Sequence, residues 1–464
     1  MNYGWLALIP PLLAILLAFL TREPVFSLAM ACLAGVLLMG QGAGGFPELL
    51  VKTLGDRDFM WVCLIEICIG ILVAFYQRCG AVNMFSQKVK SITKTRKQTQ
   101  FLGWMLGMFI FFSDYFSPLF VGPVMRKLTD RHKISREKLA YICDSTSAPV
   151  SVLVPITGWA VYISGLLAGT AYVASKEEAM SLFIKSIPFN FYAILSVIMV
   201  GLITLKLFPE FGPMRKAERR AMETGQVLRP GAVSMMSSEL INLPVSEKGR
   251  PNIWLNFFTP VLIVIVFNMG SFILTGQARV LNSFMLAAAA LGAIMLFQRV
   301  DNLGGLMKSM LAGIKGVIPA VLILAFAFAI NSVSREMGTA QYVISLTEGW
   351  FNPGLLPFLV FMLSAFISFA TGTSWGTYAI IIPIAVPLAF EFSQGQVTPL
   401  VLGTIAATAG GGVFGDHCSP LSDTTVLSSL GSACDHMDHV RTQIPYALVV
   451  AFVACIIYLI IGML

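Results

Sequence analysis

Charge is what this sequence has least of. Lys, Arg, Asp and Glu make up 12% of its 464 residues, against roughly 25% in a soluble domain. Hydrophobic residues make up 56% and the mean hydropathy is +0.80. Many apolar windows are long enough to cross about 30 Å of hydrocarbon, which excludes a soluble enzyme. The net charge of +7 is no footprint for nucleic acid, because the basic residues fall in loops between apolar segments and act there as topology signals. Eight cysteines, with Cys32, Cys63, Cys68, Cys143 and Cys455 inside apolar segments, offer no disulfide framework. A phosphate-binding GxxxxGK[ST] loop, a His-Glu-x-x-His helix and a Gly-x-Ser-x-Gly elbow are all missing. An ATP-driven engine and hydrolytic chemistry go with them, so the chain does not read as an enzyme. Met1 to Tyr3 carry no basic side chain and no small-residue cleavage site follows, so the first span is expected to stay.

Three loops are rich in positive charge. Arg78 to Lys97 carries six Lys or Arg and no acid, Arg126 to Lys138 carries six against Asp130 and Glu137, and the polar stretch Pro209 to Pro251 carries seven. The positive-inside rule puts all three in the cytoplasm. The apolar segment 101–125 between the first two cannot then cross once; it must enter and return. Ser113-Asp114-Tyr115-Phe116-Ser117-Pro118 interrupts it midway, and Gly122-Pro123 is expected to break it again. Spans at 5–20, 25–40 and 60–77 precede this hairpin, with the amino terminus outside. Spans at 139–168 and 188–207 follow, joined by an outside loop. The second half repeats the order: spans at 253–275, 280–298 and 317–334, then an apolar stretch 355–390 broken at Thr371 to Thr377 and by Pro383 and Pro387. A span from 398, broken at Asp416–Pro420, and a last one at 444–463 complete it. The linker after this second hairpin has no basic residue. The same order with opposite charge bias predicts an inverted-topology repeat. The expected fold is an all-α polytopic membrane protein of about ten transmembrane helices plus two re-entrant hairpins in two inverted-topology repeats. Residues 1–208 form the first repeat (five spans and hairpin 101–125), 209–252 a cytoplasmic linker, and 253–464 the second repeat (five spans and hairpin 355–390).

Against this apolar background the polar runs stand out. A carboxylate at bilayer depth costs roughly 2.5–3.5 kcal/mol even on a lenient insertion scale. Yet Gly415 to Thr425 holds Asp416 and Asp423 among hydroxyls, and Asp144-Ser145-Thr146-Ser147-Ala148-Pro149 echoes Asp416-His417-Cys418-Ser419-Pro420 in the first half. Irregular backbone at this depth is tolerated only where it lines a protein-enclosed cavity. Broken helices supply amide donors and free carbonyls, and Ser, Thr and Asp oxygens suit a hard cation such as sodium. A carboxylate shielded from water can exchange a proton for that cation. The candidate cation- and proton-binding residues are Asp144, Asp416, Asp114, Asp423, Ser145, Thr146, Ser419 and Thr424. Thr373, Ser374, Trp375, Thr377, Ser117 and His417 are candidates for holding a solute, with Trp375 as an aromatic wall. Glu66 is either a proton relay or a structural glutamate paired with a neighbouring helix. The bland alternative is that the hydroxyls re-satisfy backbone freed by proline. Cys434, His436 and His439 match no standard zinc spacing and are expected at a cytoplasmic helix exit, with a packing or gating role.

Gly415-Asp416-His417-Cys418-Ser419-Pro420-Leu421-Ser422-Asp423-Thr424-Thr425, Gly372-Thr373-Ser374-Trp375-Gly376-Thr377 and Ile134 to Pro149 closely resemble the NhaC sodium/proton antiporter family. So does the run from Cys434 through Ala447. The resemblance covers most of the chain from about residue 100. It implies the ion-transporter superfamily architecture, in which each inverted repeat contributes a hairpin, often within a homodimer. It also implies secondary active transport in the bacterial cell (inner) membrane, with sodium as coupling ion or substrate and no cofactor. Relatives that move organic solutes, malate/lactate antiporters and amino-acid carriers, make a sodium- or proton-coupled carrier of an amino acid or carboxylate the alternative. One departure bears on this choice. Where many members read Phe-Phe-Asp-Asp-Tyr-Ala-Asn, Ser113 stands in place of an acid and Ser117 replaces or displaces an amide. That bears on the sodium/proton stoichiometry and favours an organic substrate.

Overall fold

The computed structural model describes residues 3–463 apart from 22, 90–92, 112, 169, 171, 237–239, 241–242, 276–278 and 346–351, and the side chains at 58, 86, 340, 343 and 344. In the first half the helices are α1 (Ile9–Thr21), α2 (Pro24–Leu38), α3 (Gly45–Leu54), α4 (Arg57–Arg78) and α5 (Ala81–Val89). Then come α6 (Arg96–Phe109), α7 (Phe116–Arg131), α8 (Arg136–Ser145), α9 (Ala148–Ser151), α10 (Gly158–Leu167), α11 (Lys176–Ser186) and α12 (Phe191–Thr204). The linker contributes α13 (Gly212–Thr224). The second half holds α14 (Thr259–Thr275), α15 (Val280–Phe297), α16 (Leu303–Met337), α17 (Thr339–Ser345), α18 (Leu356–Thr371) and α19 (Ser374–Phe392). It ends with α20 (Pro399–Cys418), α21 (Asp423–Ser432) and α22 (His436–Met463).

Among the described residues there is no strand, and seven helices are long and apolar enough to cross a membrane. The count becomes eight if the pair Lys176–Phe189 and Phe191–Thr204, bent by 46°, is one span. The apolar helices α2, α10 and α18 are shorter. Side-chain caps fix the starts. Thr95 and Gln98 form a capping box on α6, and Ser135, Thr157, Ser175, Asn190 and Asn302 each accept a backbone N–H of the helix they precede.

The helices α6–α7 and α18–α19 follow one another across turns where the two hairpins are expected, but several expected breaks are absent among the described residues. α7 runs unbroken through Pro123, and α19 through Pro383 and Pro387. A proline removes one hydrogen bond and is accommodated as a bend where the neighbouring helices hold both halves. α20 likewise continues past Asp416 to Cys418, so the break falls at Ser419–Ser422 rather than at Asp416–Pro420. The segment 139–168 is broken twice, into α8, α9 and α10. α16 is 35 residues long, well beyond the expected 317–334. The loop before 188 carries the capped helix α11.

Two apolar cores enclose the breaks. One joins α2, α4, α7, α15, α16 and α21; the other joins α10 to α12, α18 to α20 and α22. The linker is not a loose tether. Glu218 on α13 accepts from Arg96 Nη2 at 2.6 Å and from the Ser135 N–H at 2.8 Å, and Arg220 donates to both Glu137 oxygens at 2.9 and 3.0 Å. Arg229 donates to both Asp438 oxygens at 2.8 and 3.1 Å. The linker thereby pins the starts of α8 and α22. Arg136 completes this layer. It grips Asp130 at 2.6 and 2.7 Å and donates to the Ser432 and Ala433 carbonyls that end α21.

α7 and α21 cross backbone to backbone: a Cβ on Gly431 would fall onto the Pro118 carbonyl oxygen, and one on Gly122 onto the Gly431 backbone. Gly431→Val is therefore expected to wedge the helices apart and lower thermal stability in detergent by roughly 1–3 kcal/mol, the range for overpacking. Gly165→Ala, where a Cβ meets open space, should leave the midpoint unchanged or raise it slightly. Equal losses in the two unfolding curves would show that the close crossing does not matter.

Candidate functional site

Asp416 sits in the last turn of α20 because that helix approaches α18 without side chains between them. A Cβ on Gly411 would meet the Phe361 carbonyl, and one on Gly415 the Phe369 backbone. Ser368 Oγ donates to the Gly412 carbonyl at 2.7 Å and Ser419 Oγ to that of Phe369 at 2.7 Å, locking the pair. Hairpin two turns at Gly372, whose φ is +73° and whose Cβ would strike the Leu421 carbonyl, so only glycine fits there. The turn delivers Ser374, the first residue of α19, onto the Asp416 carboxylate.

The result is a ring of hydroxyls. Ser374 Oγ donates to Asp416 Oδ2 and Ser422 Oγ to Oδ1, the latter at 2.6 Å. Thr425 and Thr424 donate to the Asp416 backbone carbonyl at 2.8 and 3.3 Å, and Ser422 and Thr424 lie 3.1 Å apart. Asp416 is 2% exposed. Two helix starts, those of α19 and α21, face it, and a helix start favours negative charge.

Asp144, its echo in the first half, has other partners. Its Oδ2 accepts from Gln443 Nε2 at 2.7 Å and lies 3.2 Å from His439 Nε2; its Oδ1 has no partner. Gln443 Nε2 also donates to the His417 carbonyl. The His417 ring spans Ser145 Oγ (2.8 Å from Nε2) and Tyr192 OH (2.9 Å from Nδ1). His439 and His436, in the first turn of α22, are buried against the site. His436 bridges Ser429 Oγ and the Pro420 carbonyl.

Two further acids flank the ring. Trp159 Nε1 donates to Asp114 Oδ2 at 2.9 Å, and Trp159 stacks on Trp375 at 4.1 Å, bringing the two hairpin tips together. Tyr162 OH donates to the Trp375 carbonyl at 2.8 Å. Tyr115 OH donates to Asp423 Oδ2 at 2.7 Å. Glu66 is fully buried, and among the described residues neither carboxylate oxygen has a hydrogen-bond partner.

Several sequence candidates instead serve the backbone. Thr146 donates to the Ile142 carbonyl at 2.8 Å and presses on Gly107; Thr377 donates to the Thr373 carbonyl at 2.9 Å. Ser419 serves Phe369, and Ser117 donates to the Thr146 carbonyl at 3.4 Å. Thr373 stands before α19 without capping it. Sequence reasoning missed Gln443, Tyr192, Trp159 and Tyr115 as partners. The signal for Gln443 was its spacing of four from His439 at the head of an apolar span, which puts both on one helix face.

The profile of the Na+/H+ antiporter family matches residues 150–463. An uncharacterized protein of Haemophilus influenzae is 32% identical over 489 residues, covering 98% of this chain and 90% of that protein. The malate-2H(+)/Na(+)-lactate antiporter of Bacillus subtilis is 32% identical over 157 residues, 34% of this chain and 32% of that protein. The arginine/ornithine antiporter ArcD of Halobacterium salinarum is 30% identical over 145 residues, 31% of this chain and 29% of that protein. The crystal structure of the Alcanivorax borkumensis YdaH transporter aligns with 97% of this chain and 98% of that one, at 14% identity and a TM-score of 0.39.

A hydrogen bond to a charged group contributes roughly 1.5–3 kcal/mol. A double-mutant cycle of Ser374→Ala with Asp416→Asn, read as thermal shifts of purified protein, should yield coupling of that order. Additive shifts would mean that the hydroxyl does not hold the carboxylate.

Proposed function

The chain belongs to the Na+/H+ antiporter family, a multi-pass membrane protein of secondary transport, and from that premise we propose that it exchanges sodium for protons, the two competing for the Asp416 carboxylate. The observation that carries this reading is the hydroxyl ring: among the described residues Asp416 has Ser374 and Ser422 on its carboxylate and no Lys or Arg partner. A bare charge there costs several kcal/mol, so the carboxylate is compensated by a proton or a cation, not both. Each hydroxyl donates to the carboxylate when no cation is present. It can rotate to offer lone pairs to sodium when one arrives. Exclusive occupancy of one carboxylate is the core of exchange. Asp144 and Ser145 form the counterpart in the first repeat, joined to it through His417 of the second, and Asp114 and Asp423 flank the path.

The proposed architecture is ten spans and two re-entrant hairpins in two inverted repeats, 1–208 and 253–464, joined by the cytoplasmic linker 209–252. The basic loops then face the cytoplasm and the amino terminus lies outside, in a bacterial inner membrane and in a homodimer. Alternating access moves the repeats around the broken helices.

A second reading, a sodium- or proton-coupled carrier of an amino acid or carboxylate, is favoured by the aromatic wall of Trp159, Trp375 and Tyr162 beside Asp114. The names of the malate/lactate and arginine/ornithine relatives agree with it.

Purified protein in proteoliposomes separates these readings. Under the first, an inward sodium gradient alone drives protons out and alkalises the lumen. Asp416→Asn removes that response, while Ser374→Ala and Ser422→Ala each raise the half-saturating sodium concentration about tenfold, the equivalent of 1.4 kcal/mol. Full sodium-driven exchange in Asp416→Asn rejects the competing-site mechanism. Exchange that needs added malate, lactate, arginine or ornithine establishes the second reading.

A further inference from the structure

Arg126 lies on α7, one turn past the Gly122–Gly431 crossing, and is 2% exposed. Where the linker packs, Arg96, Arg136, Arg220 and Arg229 each grip a carboxylate. Arg126 grips none among the described residues. Its bond runs from Nη1 to the Met236 sulfur at 3.0 Å. A guanidinium carries five N–H donors, and a thioether sulfur is a weak acceptor. A buried cation met only in this way leaves most of its donors unused, which is costly. No acid nearby in the chain makes up for it. Lys127 donates to the neutral Asn83 amide oxygen at 2.6 Å, and both Asp130 oxygens are taken by Arg136.

Met236 covers this guanidinium from the linker, and its backbone is tied down. Met235 N–H donates to the Cys434 carbonyl at 3.0 Å and Ser234 Oγ to that of Ala433 at 3.1 Å. Met236 N–H donates to Ser234 Oγ at 3.2 Å. The side chain has room that the backbone lacks. It borders an apolar cavity of about 210 Å³, shared with Pro123, Leu240, Leu430 and Gly431. An unbranched thioether with three rotatable bonds adapts readily to such space. It can swing into the cavity and uncover Arg126 while the linker stays in place. The uncovered group is a planar fork, which pairs two N–H donors with two anionic oxygens. Carboxylate and phosphate both present such oxygens. The apolar cavity beside the fork suits the hydrocarbon body of an organic acid and penalises the charge a phosphate would spread over it.

We propose that Arg126 anchors a binding site for a small organic carboxylate, separate from the hydroxyl ring around Asp416, with the Met236 side chain as a movable cap. The cap holds the fork until the acid displaces it. The site rests on the carboxylate-carrier reading for its place in a transport cycle, although its binding is measured without transport.

The test dialyses the full purified chain against radiolabelled acetate, lactate and succinate. Wild type binds at least one of them, and Arg126→Gln weakens that binding about tenfold or more, the loss of a charged hydrogen bond. Arg126→Lys keeps the charge without the fork and falls between the two. Met236→Leu keeps the volume, removes the competing sulfur and tightens binding. It serves alone if the arginine variants do not fold, and unchanged or weaker binding then overturns the cap and the site. Equal binding by wild type and Arg126→Gln overturns the site and leaves the carrier reading intact. Wild type that binds none of the three acids also overturns it, and uptake into proteoliposomes then decides the carrier reading by itself. Binding through Arg126 in a protein whose vesicles carry no acid supports the site and rejects that reading. Displacement by an equal concentration of inorganic phosphate, or by phosphatidylglycerol added to the micelles, overturns the carboxylate assignment: the fork then takes phosphate, free in the first case and on lipid in the second.

Discussion

Five carboxylates inside a low-dielectric layer, none bonded to a Lys or Arg among the described residues, set the terms for everything else in this molecule. Each meets a different neutral or switchable group: hydroxyls at Asp416, an amide and an imidazole at Asp144, an indole at Asp114, a phenol at Asp423, and nothing at Glu66. Such donors lower the cost of a buried charge but leave the net charge in place. The contrast lies only a helix away. Lys138 with Glu210 at 2.6 Å, and Arg136 with Asp130, are permanent pairs gathered where the linker packs. Such fixed cations, Lys138 among them although wholly buried, pair within the frame and not with these five acids.

Keeping unpaired acids in place without salt bridges demands rigid backbone. The structure supplies it by letting helices touch without side chains. α4 meets α16 at Gly70 and Gly313, α7 meets α21 at Gly122 and Gly431, and α20 meets α18 at Gly411 and Gly415. In lipid there is no hydrophobic drive between helices, so close van der Waals contact and interhelical hydrogen bonds carry the association. Ser368 and Ser419, which donate across the α18–α20 seam, supply the latter. Each crossing lies near a helix break or an acid, so the same contacts that stabilise the fold also set the register of the site.

The sequence announced the parts of this design that depend on short-range pattern. Hairpin tips at Asp114 and Gly372 follow from polar runs inside apolar segments, and the break after Asp416 follows from the proline and hydroxyls there. Breaks assigned to Pro123, Pro383 and Pro387 were misplaced. A proline's cost is local, and its effect is decided by how neighbours hold the helix, which one chain position does not encode. The hydroxyls divide the same way. Ser145, Ser374 and Ser422 look no different in sequence from Thr146, Thr377 and Ser419, yet the former reach the Asp416 carboxylate or the His417 ring while the latter return to backbone carbonyls. Only long-range packing separates them. Gln443, within the Cys434–Ala447 run, and Trp159 on α10 become partners of Asp144 and Asp114 solely through the fold.

The echo between Asp144–Pro149 and Asp416–Pro420 did not carry over into equal surroundings, and the reason is visible in what each hairpin brings. Hairpin two presents a hydroxyl, Ser374, at a helix start. Hairpin one presents Gly107, whose Cβ position is filled by Thr146. With no donor arriving from that side, Asp144 draws His439 and Gln443 from α22 instead. The two acids are nevertheless joined. His417, next to Asp416, contacts Ser145, next to Asp144, and Gln443 donates to both the Asp144 carboxylate and the His417 carbonyl. The surroundings of Asp416 and Asp144 therefore share two side chains, His417 and Gln443. A contiguous hydrogen-bonded chain of this kind is a physical route for coupling. Because Asp144 keeps one oxygen without a partner, that route ends on a group still able to respond.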